Sequence, residues 1–369
     1  MEPMKFVCSK VLTLPAHVSS LSLGHAGHLF AGSDDGSLRV YDLSSYKVLK
    51  AIKGVGSEIS SIICTKRPGT ELRDAWIAHG HQISHYRMDL PVMIQSPENA
   101  LETIDVGEES DVLNEVSTII LLISGSRLNR FSKLSLNADK THIAFSTDSG
   151  LVGIVDIATK NVSIMETKHE SICGSVKFIP DRPRELVSGG YDMHLMHFDF
   201  VQGKTLSRRK LESPPTAEGM SLSPPFVMSV AVSSSGILAA GTADGNLLTS
   251  FGGERKQGDK GSKKKGKTWG GLEESQSQVR KVAEGPIVAL SFSDSCTLTM
   301  STLLGKITRY SLDSGEESGL QQMWQGEAGS LSKVNAISVD DKRIILGGFS
   351  KDGKGVIEIW KQEVASAST

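Results

Sequence analysis

Four cysteines in 369 residues, Cys8, Cys64, Cys173 and Cys296, stand far apart at strand-like positions and offer no disulfide framework. Buried thiols in a reducing compartment are the expectation. An excess of one charge is also missing: 40 Lys and Arg oppose 42 Asp and Glu, a formal net charge of −2. No global field therefore draws the chain to nucleic acid or to a membrane surface. No apolar run reaches the roughly 18 residues of a membrane-crossing helix, and no signal-peptide pattern opens the chain. A cytoplasmic or nuclear location without membrane contact is expected. Catalytic signatures are missing too. There is no G-x-S-x-G nucleophile elbow, and no cysteine has a protease or redox context. Neither an enzyme nor a cofactor is expected.

What the chain does contain is one short phrase, used repeatedly: a turn of small residues with Asp or Gly, an alternating stretch, then an apolar or aromatic residue, usually followed by Asp. It reads Gly32-Ser33-Asp34-Asp35-Gly36 to Tyr41-Asp42, Thr147-Asp148-Ser149-Gly150 to Val155-Asp156, and Gly189-Gly190-Tyr191-Asp192 to Phe198-Asp199. Weaker copies run from Ala243-Asp244-Gly245 to Phe251, from Leu304-Gly305 to Tyr310, and from Lys351-Asp352-Gly353 to Trp360. A period of about 45–50 residues means an array of like supersecondary units. Val18 to Leu23 alternates apolar and polar with period two, as a half-buried strand does. Leu29 to Gly32, Leu38 to Tyr41 and Val48 to Ile52 complete four short strands around an Asp35-Gly36 turn. Four antiparallel strands per unit, with no long helix between units, indicate propeller blades.

The expected fold is therefore an all-β, seven-bladed propeller over residues 4–363, with a tail at 364–369. Approximate blades are 13–53, 57–95, 101–166, 169–211, 226–256, 277–325 and 331–363. The strand Lys5 to Leu12 is expected to pair with the last blade near Val356 to Trp360, leaving no free edge there. Two segments break the rhythm. Val116 to Arg130 lengthens the third unit, either as a genuine apolar insertion or as translated intron; transcript sequence decides between them. Residues 252–271, rich in Gly and Lys, read as a solvated basic loop between blades. Ser213 to Pro225 reads as a Pro-rich surface joint.

Several clusters invite a chemical reading. Gly261-Ser262-Lys263-Lys264-Lys265-Gly266-Lys267-Thr268 fits the phosphate-loop pattern G-x-x-x-x-G-K-[ST]. It has neither the apolar strand before it nor the helix after it that bring backbone N–H groups onto a phosphate. The basic residues of the loop, Arg255, Lys256, Lys263, Lys264, Lys265 and Lys267, with Trp269, are the candidate contacts to a partner or to nucleic acid. Solvated loop charge is the plain alternative. His79, His81 and His85, and His194 and His197, have no further donors at metal-site spacing and read as strand and turn histidines. The repeated turn residues Asp35, Gly36, Asp192, Asp244, Gly245, Asp352 and Gly353 recur at equivalent places. A catalytic carboxylate pair needs two different environments, so these read as structural.

The phrase, in Asp34-Asp35-Gly36 to Tyr41-Asp42, Tyr191-Asp192 to Phe198-Asp199 and Asp352-Gly353 to Trp360, resembles the WD-repeat propeller family across the whole chain. The stretch from Lys168 to Phe178, with Leu186 to Gly190, is similar to the same family. The resemblance implies a non-catalytic scaffold for protein–protein interaction, monomeric within a larger complex. It also implies a substrate receptor for a cullin-RING ubiquitin ligase, docked through the damaged-DNA-binding adaptor. The docking motif ends a repeat in Trp-Asp-x-Arg. Here the positions read Tyr41-Asp42-Leu43-Ser44, Val155-Asp156-Ile157-Ala158 and Phe198-Asp199-Phe200-Val201, with no Arg. The alternative is an adaptor in ribosome biogenesis or RNA–protein assembly, working through the basic 255–267 loop.

Overall fold

The computed structural model describes residues 5–24, 26–106, 133–212, 223–253, 269–313 and 319–363. The described elements are strands and short turns, in seven sheets of four or five strands, and the fold is the expected seven-bladed β-propeller. Blade 1 is built from Val18–Leu23, His28–Ser33, Leu38–Asp42 and Val48–Ile52, with Ile94–Gln95 as a fifth strand. Blade 2 takes Ile59–Thr65, Asp74–His79, Gln82–Tyr86 and Glu102–Asp105; blade 3 takes Leu134–Leu136, His142–Ser146, Val152–Asp156 and Val162–Ile164. Cys173–Phe178, Glu185–Gly190, His194–Asp199 and Lys204–Lys210 form blade 4. Val227–Val232, Leu238–Thr242, Asn246–Ser250 and Ser277–Lys281 form blade 5. Blade 6 comprises Ile287–Phe292, Thr297–Thr302, Lys306–Asp313 and Gly319–Glu327. Blade 7 comprises Lys333–Val339, Arg343–Phe349, Gly355–Gln362 and, from the other end of the chain, Phe6–Leu14.

That last pairing is antiparallel, with Cys8 opposite Trp360 and Lys10 opposite Ile359, as expected. Three strands fall outside their expected blades. Glu102–Asp105, expected to open blade 3, is the outer strand of blade 2. Ser277–Lys281, expected to open blade 6, completes blade 5, with Asn246 opposite Lys281. Ile94–Gln95, expected in blade 2, joins blade 1 in parallel. Ser277–Lys281 follows a long connection, and Ile94–Gln95 and Glu102–Asp105 pair out of chain order, so proximity in sequence pointed to the wrong neighbour. The insertion 116–130 and the tail 364–369 lie outside the described residues.

Two compact units emerge from the packing. The first comprises residues 1–77, 85–101 and 291–369. Its core joins Phe30, Val40, Ile52, Ile59, Ile77 and Tyr86, with a second cluster around Val18, Leu29, Ile345 and Ile359. The second unit comprises residues 78–84 and 102–290. Its clusters centre on Ile154, Val176, Met196 and Phe198, and on Val187, Leu195, Val227, Leu238 and Leu248.

The same device packs sheet on sheet in both units. The first strand slips register at Val18/Ser20, Cys173/Ser175, Val227/Ser229 and Val334/Ala336. Just past each slip, a glycine of the second strand stands opposite: Gly32, Gly189, Gly241 and Gly347. A Cβ on Gly189 would lie 2.4 Å from Val227 Cγ1, and one on Gly347 would lie 2.6 Å from Val18 Cγ1. The missing side chain makes room for a β-branched residue opening the following blade. Hydroxyls then stitch first strand to first strand. Ser20 Oγ donates to the Ile59 carbonyl at 2.6 Å and Ser229 Oγ to that of Ile287 at 2.9 Å. Ser338 Oγ accepts from Leu23 N–H, and Ser135 Oγ from Phe178 N–H, both at 3.2 Å. Period-two alternation thus leaves serines exposed in the sequence but bonded in the fold.

Candidate functional site

The turn residues are the first candidates. Asp35 accepts from both N–H and Oγ of Ser37 at 3.0 and 2.6 Å, an Asx turn. Asp244 accepts from Thr242 Oγ1 and, at 2.6 Å, from Asn246 Nδ2. Gly36, Gly245 and Gly353 have φ of +73°, +82° and +73°, values that L side chains rarely adopt. Gly353 N–H bonds the Ser350 carbonyl at 3.1 Å, and Asp352 lies in that turn. The Asp that closes the third strand is used in the same way. Asp42 accepts from Ser44 N–H at 2.8 Å, Asp156 from Ala158 N–H at 2.8 Å, and Asp199 from Val201 N–H at 3.0 Å. The hydrogen bonds from Ser45 and Ser44 hold the Asp42 carboxyl well below its ordinary range.

Blade 4 departs from this pattern, because Asp192 also reaches outside its turn. Its carboxylate lies 2.8 Å from His169 Nδ1 and accepts the N–H of Glu170 at 3.1 Å and of His194 at 3.2 Å. The other ring nitrogen, His169 Nε2, is 2.7 Å from Ser188 Oγ. Burial works against charge on this imidazole. The neighbouring Cys173 and the Asp192 carboxylate outweigh it and raise the ring to about 9. Serine, histidine and aspartate in this order have the bonding of a hydrolytic triad. They do not have its access. Ser188 and His169 are both 0% exposed, so no acyl group can reach Oγ. The trio is a staple joining the approach to the first strand, the second strand and the turn. Arg208, 3.4 Å from Glu170 and 3.2 Å from His194, crowns it at the surface.

The histidines singled out in the sequence are likewise occupied. His79 Nε2 is 2.8 Å from Ser84 Oγ, and His81 Nε2 is 3.0 Å from Asp105. His85 stacks on Trp76 with centroids 4.2 Å apart. His194 Nδ1 lies 2.7 Å from the Asp192 carbonyl. Buried His197 is 2.9 Å from Glu185. Among the described residues no group of three or more His, Cys, Asp or Glu is placed to hold a metal ion.

The basic loop divides in two. Arg255, Lys256, Lys263, Lys264, Lys265 and Lys267, and with them the phosphate-loop pattern, lie outside the described residues. Trp269, expected as a contact residue, is only 3% exposed and takes part in the core of its unit. Its Nε1–H donates to the Gly236 carbonyl at 3.2 Å, its backbone N–H points at Glu185 at 3.4 Å, and its ring meets His197 edge-on at 5.2 Å. This corrects the reading of Trp269 as a contact residue. An indole beside a Lys-rich run looks like a nucleic-acid contact in sequence. The apolar wall that captures it comes from Ile179, Val187 and Leu195, far upstream.

Short antiparallel sheets and a repeated Asp-Gly turn define a repeat-built β-propeller. The comparisons agree. The family described as WD domain, G-beta repeat matches residues 8–42. It is similar to the WD repeat-containing protein 53 homolog of Dictyostelium discoideum, at 24% identity over 237 residues, 59% of this chain and 57% of that relative. The match thus spans a little over half of the relative's length.

Proposed function

We propose that this chain is a non-catalytic platform on which other proteins assemble, working as a monomer within a larger complex. One observation carries the reading: among the described residues, the carboxylates and histidines that look chemical in the sequence are consumed by the fold. The Asp carboxylates close turns, and the Ser188–His169–Asp192 trio is sealed from solvent. Large apolar side chains, by contrast, stay at the surface, with Met93 at 58%, Val201 at 62% and Leu304 at 68% exposure. WD-repeat propellers as a class bind other proteins.

The finer reading, a substrate receptor of a cullin-RING ubiquitin ligase, rests on resemblance. Ser44, Ala158 and Val201 stand where the docking motif has Arg, and Asp42, Asp156 and Asp199 are already committed to turns. Affinity purification of the full chain with mass spectrometry, with and without nuclease, tests both levels. Protein partners that survive nuclease support the platform. Recovery of the damaged-DNA-binding adaptor supports the receptor reading. Recovery of a ribosome-assembly set that nuclease removes would replace both with the RNA–protein reading, and an empty purification would sink the platform.

A further inference from the structure

The chain has five tyrosines, and the fold sets one of them apart. Tyr41, Tyr86, Tyr191 and Tyr310 are buried; Tyr46 alone keeps part of its side chain at the surface. Burial pushes the phenols of Tyr41, Tyr86 and Tyr310 up, that of Tyr86 to about 12. Tyr46 moves the other way. The pull of Lys361 on its oxygen, joined by Ser9 and by the charge of Lys10, outweighs burial and holds the phenol below its ordinary range.

Its backbone is an exception too. Tyr46 follows the turn after Leu38–Asp42, and its N–H bonds the Asp42 carbonyl at 2.7 Å. In blade 3, Lys160 N–H bonds the Asp156 carbonyl in the same way, at 2.8 Å. In blade 4 the matching position is Gly203. The left-handed φ of +59° at Tyr46 suits glycine and is rare for a bulky side chain. The turn therefore does not ask for an aromatic residue. A backbone held in such a conformation by its surroundings points to a function for the side chain.

Those surroundings are cationic. Lys10 Nζ lies 5.6 Å and Lys361 Nζ 5.5 Å from the centroid of the Tyr46 ring. Both lysines are exposed, and neither forms an ion pair among the described residues. The acids near them are committed elsewhere. Glu363 pairs with Lys5 at 2.8 Å, Glu358 accepts from Trp360 Nε1 at 3.0 Å, and Asp42 holds its turn. The ring itself packs against the cluster of Tyr41, Leu43 and Ile359, which fixes it in place. Lys10 lies on Phe6–Leu14 and Lys361 on Gly355–Gln362, the pair that closes blade 7, whereas Tyr46 belongs to blade 1.

We propose that Tyr46 is a phosphorylation site, with Lys10 and Lys361 placed to receive the phosphate and so bind blade 1 to the closing strands of blade 7. The phosphoryl donor is ATP, brought by a protein-tyrosine kinase. Tyr46 Oη forms a bond to the γ-phosphorus, the bond from that phosphorus to the bridging oxygen breaks with its electron pair leaving on ADP, and the phenolic proton passes to a base of the kinase. The product carries a charge of about −1.5 to −2 and three acceptor oxygens, which two ammonium groups match. Modification thus tightens a seam that apolar packing alone holds in the unmodified chain. The inference goes beyond the platform reading and does not rest on it.

The test treats the full chain with magnesium ATP and a broad-specificity tyrosine kinase, and locates the phosphate by tandem mass spectrometry. Phosphate is expected on Tyr46 and on none of the four buried tyrosines, and Tyr46→Phe is expected to take up none. Chain recovered from its own cells under phosphatase inhibition is expected to carry it as well. By phosphorus NMR the attached phosphate is expected to titrate below its usual midpoint of about 6, because both lysines favour the dianion. The variant with Lys10→Gln and Lys361→Gln together is expected to restore that midpoint. Phosphorylation is expected to raise the thermal unfolding midpoint by about 2 °C, a gain that the same double variant loses; circular dichroism confirms that it folds. Absence of phosphate from Tyr46 of the folded chain, from the kinase or from cells, would overturn the proposal. So would an unshifted titration, an unfolding midpoint that falls or stays level, or a gain that survives the loss of both lysines.

Discussion

His169 shows how much one buried side chain sets in this fold. Its imidazole is raised from 6.5 to about 9, so its folded form holds the proton more tightly than its unfolded form. The resulting stabilisation is full below pH 6.5 and is lost as pH rises through about 9. Asp192 runs the other way: its carboxyl lies below the ordinary 3.8, so its contribution is present above that value and is lost in acid. Asp192→Asn is expected to lower the His169 titration midpoint, read by NMR of the ring protons, and to flatten the stability profile between neutral and mildly alkaline pH. An unshifted midpoint would mean that Cys173 alone raises the ring. Trp269 offers the second check. Truncation of a fully packed aromatic costs about 3–5 kcal/mol, so Trp269→Ala is expected to lower the urea midpoint strongly. A surface contact residue would leave that midpoint unchanged.

Within the strands and turns, the repeat was legible where a side chain reports on its own backbone. Asp35-Gly36 announced a hairpin turn because carboxylate and glycine each solve a local problem. The turn after the third strand was silent. There Tyr46, Lys160 and Gly203 sit at φ of +59°, +64° and +71°, with nothing in the first two names to show it. Glycine therefore plays two separable parts. Gly189→Ala would push a Cβ to 2.4 Å from Val227 Cγ1 and is expected to cost about 1–3 kcal/mol through overpacking. Gly203→Ala meets no atom within 4 Å, so its cost, about 1 kcal/mol, comes from the left-handed backbone alone. Denaturant unfolding of the pair, with Val227→Ala added to each, separates the causes. Only the Gly189 variant should be rescued by the smaller neighbour.

Across the molecule, the pairing of Phe6–Leu14 with Gly355–Gln362 joins residues some 350 positions apart. Loop-closure entropy grows slowly with chain length, so such a contact is affordable once a full ladder rewards it. Removing residues 5–14 would strip one strand from blade 7 and expose the backbone edge of Gly355–Gln362, an apolar strand nearly all buried. The truncated chain is expected to lose its cooperative thermal transition and to aggregate on size-exclusion chromatography. A monomer with an unchanged transition would show that blade 7 stands on three strands.

Strand count, the Asp-Gly turns and the ends that meet could be read from residue order, since period-two burial and turn chemistry are local and leave their mark on the sequence. Ownership of Glu102–Asp105, Ser277–Lys281 and Ile94–Gln95 could not, nor could the capture of Trp269 or the sealing of Ser188, His169 and Asp192. Those depend on which distant backbone offers a hydrogen-bonding edge or an apolar wall. Nothing in a segment's own composition names its neighbour in space.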